Sequence, residues 1–194
     1  QLYFESGIVY PLSDNVDELV WLIDHGAKVV QLRNKSGDKT EIYNQAKFLC
    51  EYIEKKDKTA FGYTPVLLII DDCVEVAAQL PVAGIHIGQT DMTLLQARKI
   101  LGSSKIIGKS NNNLEQMKAS VAEGADYVSI GPIFPTPAKP DRIPVGVEAL
   151  KKIKKEIFIP WLAIGGIDIK NAPELYKAGA NNIAVIRSAR DFFI

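Results

Sequence analysis

The sequence predicts a single parallel (β/α)8 barrel, on three observations. Apolar runs of strand length alternate with segments of helical period from one end of the chain to the other. Several of those runs are continuous, Val66-Leu67-Leu68-Ile69-Ile70 above all, as expected of parallel strands buried on both faces. A helix–Gly–Ala–strand unit recurs at Gly26-Ala27, Gly124-Ala125 and Gly179-Ala180, the trace left by repeated βα construction.

The elements follow in order. A first strand over Ile8–Leu12 precedes a helix whose Val16, Leu19, Val20 and Ile23 share one face and which stops near His25 and Gly26. The second strand spans Lys28–Arg33, and the next helix sets Ile42, Ala46, Leu49 and Ile53 on one stripe. Strands three and four are Val66–Asp71 and Gly84–Ile87, the latter followed by a helix over Leu94–Leu101 that ends at Gly102. The fifth strand, Lys105–Gly108, leads to a helix with Leu114, Met117 and Val121 inward, closed by Gly124. The sixth, Tyr127–Ile130, opens a long loop from Ile133 to Pro144 before a helix carrying Val147, Leu150 and Ile153. The seventh is Pro160–Ile164. Asn171 is expected to cap the helix after it, with Pro173 in the first turn and Gly179 at its end. The eighth is Asn182–Ile186. An open doubly wound sheet is the alternative, but no Gly-x-Gly-x-x-Gly follows the first strand.

The 194 residues suit one domain, expected over 8–194, and residues 1–7 read as a tag-like segment outside it. Lys plus Arg balances Asp plus Glu at 23 each, which gives no push toward nucleic acid or an anionic membrane. No apolar run approaches the roughly 20 residues of a spanning helix. No signal-peptide pattern is seen, so a cytoplasmic protein is expected, with a homo-oligomer left open. Cys50 and Cys73 have no metal-ligand spacing and read as plain thiols.

In such barrels, functional groups project from the C-terminal ends of the strands. Asp72 and Asp91 follow adjacent strands and could hold Mg²⁺ together with substrate phosphate oxygens; the competing reading is that each caps the next helix. Arg33, Lys35 and Lys139 supply cations suited to a diphosphate. Gly165-Gly166 and the end of the eighth strand suit a phosphate monoester. His86 reads as a core histidine and His25 as a surface one, so no strong general base is visible.

Five runs then carry a resemblance. They are Gln31-Leu32-Arg33-Asn34-Lys35, Ile70-Asp71-Asp72, Gly84 to Asp91 with its His-x-Gly-Gln-x-Asp pattern, Gly131-Pro132-Ile133-Phe134-Pro135-Thr136 with Lys139, and Ala163-Ile164-Gly165-Gly166-Ile167. Together with Tyr10 to Asp14, they resemble the thiamine phosphate synthase family, in the right order from about Gly7 to the C-terminus. The resemblance implies a (β/α)8 transferase of the TIM type. Its small phosphorylated substrates would be hydroxymethylpyrimidine diphosphate and thiazole phosphate, joined to give thiamine phosphate and diphosphate. It implies Mg²⁺ on Asp72 and Asp91, and a pyrimidine diphosphate on Gln31, Leu32, Arg33, Asn34, Lys35, Asp71, Ser110 and Lys139. Thiazole phosphate would lie on Thr136, Pro137, Ala138, Gly166, Ile186 and Arg187. Catalysis would fall to Arg33, Lys35, Ser110 and Lys139, through a dissociative step in which diphosphate leaves first.

Four positions depart from the family's pattern. Asp71 stands where Asn is usual, Asn112 where His is usual, Ala138 where a second Thr is usual, and Arg187 where Ser is usual, unless that Ser is shifted to Ser188. Two other readings therefore stay open: a thiazole tautomerase-like isomerase, and a paralogue that binds phosphorylated ligands without turnover.

Overall fold

The computed structural model describes residues 7–59 and 65–194, and the expectation for residues 1–6 lies outside them. Eight parallel strands close into a barrel in sequence order: β1 (Val9–Ser13), β2 (Val29–Leu32), β3 (Leu67–Asp71), β4 (Gly84–Ile87), β5 (Ile106–Asn111), β6 (Tyr127–Ile130), β7 (Trp161–Ile164) and β8 (Ile183–Val185). Closure is made by β1 and β8, with Tyr10 opposite Ala184.

The helices between them are α1 (Val16–Asp24), α2 (Lys39–Thr59), α3 (Val74–Gln79), α4 (Leu94–Leu101), α5 (Leu114–Ala122), α6 (Glu148–Glu156) and α7 (Ala172–Ala178). A short 3-10 turn, Arg190–Phe192, follows β8 where an eighth helix is expected. No helix among the described residues is long and apolar enough to cross a membrane.

The continuous apolar runs are explained by two cores. Ile69 joins Tyr10, Leu12, Val29, Tyr127, Leu162 and Ala184 inside the barrel. Its neighbours Leu68 and Ile70 point outward and pack in the larger layer beneath the helices, with Leu19, Leu49, Leu150 and Leu175. Successive side chains of a strand thus fill opposite cores, and most positions on either face are apolar.

Two local expectations are corrected. The fifth strand runs to Asn111 rather than stopping at Gly108, because Ser110 and Asn111 keep their register with Ser129 and Ile130 of β6. Asn111 is buried there, and its amide donates to the carbonyls of Lys109 and Ser129. Asn171 makes no side-chain cap to α7. Its amide is committed elsewhere, donating to the Gly166 carbonyl at 2.8 Å and accepting from the Asp168 N–H.

Candidate functional site

The C-terminal ends of the strands surround a cavity of about 490 Å³, within the range of small-molecule sites. On its β2–β3 side, Arg33 and Lys35 stand above two consecutive carboxylates. The Lys35 ammonium lies 2.5 Å from Asp71 Oδ2 and also binds Asp72, while Arg33 Nε sits 3.8 Å from Asp71. Burial works against the charge of Lys35, but the two carboxylates outweigh it and hold the ammonium above its ordinary range.

Asp72 occupies the left-handed backbone region at φ 57°, unusual for a residue with a side chain. Its N–H donates to the His86 carbonyl, tying the end of β3 to β4. Neither Asp72 nor Asp91 caps a helix. Cys73 holds the N-cap position of α3, and Thr93 caps α4 through a reciprocal pair with Gln96. The helix-cap reading of both carboxylates therefore falls, and both line the cavity.

Burial raises Asp72 to about 6, helped by the charge of Asp71 and by direct contact with the Asp91 carboxyl, with Lys35 opposing. Carboxylates crowded in this way are a fitting seat for a cation. Among the described residues no three His, Cys, Asp or Glu side chains converge as a metal cage. Mg²⁺ is commonly held by one or two carboxylates with phosphate oxygens and water completing its shell, and two such carboxylates stand here.

A chain of buried hydrogen bonds runs beneath the cavity. Gln31 Nε2 donates to Tyr10 Oη at 3.0 Å, Tyr10 Oη meets Tyr127 Oη at 3.1 Å, Tyr127 Oη meets His86 Nδ1 at 2.8 Å, and His86 Nε2 meets Ser110 Oγ at 2.8 Å. Two cavity-lining groups, Gln31 on β2 and Ser110 on β5, are thus fixed through one network. Burial and the surrounding Lys139, Lys35 and Lys109 charges push His86 down to about 3, so its ring is neutral. One ring nitrogen then donates and the other accepts.

The opposite side is built from backbone. Gly165 and Gly166 have φ of 102° and 68°, and a Cβ on Gly166 would stand 2.7 Å from the Pro135 carbonyl. Only glycine fits without displacing the β6–α6 loop. That loop carries Thr136, Pro137, Ala138 and Lys139 onto the cavity wall, where Ile186 and Arg187 complete the β8 side. Burial, then the charges of Arg142, Arg33 and Lys35, depress Lys139 below its usual range, the mark of a cation set among cations.

A family model described as thiamine monophosphate synthase matches residues 7–189. The chain belongs to that family. It is 37% identical over 186 residues to a thiamine-phosphate synthase of Shouchella clausii, covering 94% of this chain and 85% of that one. With a relative of the same description from Nostoc punctiforme it is 38% identical over 97% of its own length and 50% of the relative's. The chain spans about half the length of this relative and of those from Synechocystis sp. and Thermosynechococcus vestitus. A solved structure described as thiamine phosphate pyrophosphorylase from Pyrococcus furiosus superposes with a TM-score of 0.83 at 31% identity, over 96% of this chain and 92% of that one.

Most of the residues read from the sequence meet in the cavity, including Gln31, Arg33, Lys35, Asp71, Asp72, Asp91 and Ser110. Two do not line it. Leu32 alternates outward into the helix-side core, and Asn34 is turned to Gln45, at 2.9 Å. His86 is buried and bonded on both ring nitrogens, as the core-histidine reading expects. Its ties to Tyr127 and Tyr10, and the cavity-lining Gln89 and Arg142, are not singled out by the sequence. Alternation along β4 was the available signal for His86: it faces inward while Ile85 and Ile87 pack outward.

Proposed function

We propose that this chain joins a hydroxymethylpyrimidine diphosphate to a thiazole phosphate, releasing diphosphate, with Mg²⁺ on Asp72 and Asp91. The observation that carries the reading is the pairing of two crowded carboxylates with the cations Arg33 and Lys35 on one wall, opposite a glycine-built wall whose loop adds Lys139 close enough to feel their charge. Bound there, Mg²⁺ would neutralise charge growing on a departing diphosphate. Arg33, Lys35 and Lys139 add fixed positive charge to the same oxygens, and they need no rearrangement beyond release of Lys35 from its carboxylates. Ser110 and Gln31, held by the buried network, orient the reacting ring. The Gly165-Gly166 backbone and Arg187 receive the monophosphate.

Asp72, raised to about 6, is assigned to the metal rather than to proton transfer. His86 is neutral, buried and occupied on both nitrogens. A dissociative route asks for no base: diphosphate departs, leaving a ring-stabilised methylene cation, and the thiazole nitrogen captures it. The test is to incubate the chain with both substrates and Mg²⁺. Thiamine phosphate and diphosphate are expected in equal amounts. Binding of the pyrimidine diphosphate without either product, in the presence of both substrates, would reject the reading.

A further inference from the structure

Lys109 does not line the cavity, and the residue is only 6% exposed on β5. It shares the outward-facing row of that strand with Ile107 and Asn111. Burying an ammonium is costly unless it is held by partners. The partner here is the Gly88 carbonyl, which accepts from Lys109 Nζ at 2.8 Å.

Gly88 is also the residue that holds Asp91. Its N–H donates to Asp91 Oδ2 at 2.7 Å. A Cβ at Gly88 would stand 2.7 Å from that same oxygen, so the carboxylate rests directly over the glycine. The next residue repeats the tie to β5, with Gln89 Nε2 donating to the Ser110 carbonyl at 2.7 Å. The turn between β4 and α4 is therefore pinned to β5 at two consecutive residues. The first pin grips the carbonyl of the residue whose N–H orients Asp91, one peptide further along the chain.

We propose that Lys109 is a positioning residue for the metal, acting through Gly88 to hold Asp91 in its ligating orientation. The inference rests on the reading of Asp72 and Asp91 as metal ligands. Oriented groups behind a ligand set metal affinity, and their loss typically costs about 10–100-fold. The sign separates positioning from charge. A buried ammonium repels a divalent cation, so charge alone would make metal binding tighter once Lys109 is removed. Positioning makes it weaker.

The experiment titrates Mn²⁺ by electron paramagnetic resonance into the chain with inorganic diphosphate present. Wild type, Lys109→Met and Lys109→Arg are compared, each with a thermal melt to verify folding. The expected result is Mn²⁺ binding weakened about tenfold or more in Lys109→Met, with part of the loss restored in Lys109→Arg. Unchanged or tighter binding in folded Lys109→Met overturns the inference and leaves the metal reading standing. Absence of Mn²⁺ binding in wild type overturns both. Should Lys109→Met fail to fold, Gly88→Ala probes the same contact from the other side. Its methyl group displaces Asp91 without altering charge, and undiminished Mn²⁺ binding there overturns the inference as well.

Discussion

The two halves of the cavity are built by opposite means. Around β2 to β5 the work is done by side chains: Lys35 bridges Asp71 and Asp72, Asp72 meets Asp91, and Asp91 is held by the Gly88 N–H. Around β6 to β8 it is done by backbone, with Gly165 and Gly166 in conformations and spaces closed to other residues. The difference teaches how each half prepares for an anion. The charged half keeps its cations in place by pairing them with its own carboxylates, so a ligand must exchange partners. The glycine half offers a preformed surface that exchanges nothing.

Substitutions break these halves in different ways. Asp91→Ala should cost the most, on the order of a thousandfold in Mg²⁺-dependent turnover, since several kcal/mol of charge stabilisation go with the metal. Circular dichroism should still show a folded barrel. Retained turnover would remove Asp91 from the metal site. Gly166→Ala should act on the other half alone. Its left-handed conformation costs a residue with a Cβ roughly 1–2 kcal/mol, and the Pro135 carbonyl stands in the way. About a tenfold rise in KM for the thiazole phosphate is expected, with the KM for the pyrimidine diphosphate little changed. Equal rises in both would mean the halves are not separate.

The smallest effect concerns the floor beneath both halves. His86 has its pKa depressed from 6.5 to about 3, so the folded chain binds fewer protons than the unfolded one between those values. Its neutral form contributes stability that is complete above about 6.5 and is lost as pH falls toward 3. Asp72, raised from 3.8 to about 6, works in the opposite sense between those limits and is common to wild type and variant. The melting temperature of the ligand-free chain should therefore fall less steeply between pH 7 and pH 5 in His86→Gln than in wild type. A difference of about 1 kcal/mol corresponds to about 2–4 °C at this chain length. Parallel pH profiles would show that His86 is not the buried neutral group described.

The same contrast governs what could be read from the sequence. Charged residues at strand ends announce themselves, and Arg33, Lys35, Asp72, Asp91 and Lys139 all reach the cavity wall. The eight strands were legible because each carries an apolar run or pair packed against a core, and β3 fills both cores at once. What stayed hidden depends on which way a side chain faces. Leu32 sits between Gln31 and Arg33 in the motif but points into the helix layer, and Asn34 turns to Gln45. His86 and Tyr127 lie on strands four and six, 41 residues apart in sequence, and they meet inside the barrel across Gly108 of β5, which pairs with both. Lys109 was hidden for a similar reason: nothing local tells that a lysine on a buried strand will reach the Gly88 carbonyl.

The claim that joins these points is that the charged half is a seat for a metal-bound diphosphate. Calorimetric titration of inorganic diphosphate into the chain, with and without Mg²⁺ at pH 7.5, tests it most directly. The account predicts binding at least about tenfold tighter with Mg²⁺, and loss of that difference in Asp72→Ala. Equal affinity with and without Mg²⁺ in wild type would contradict it.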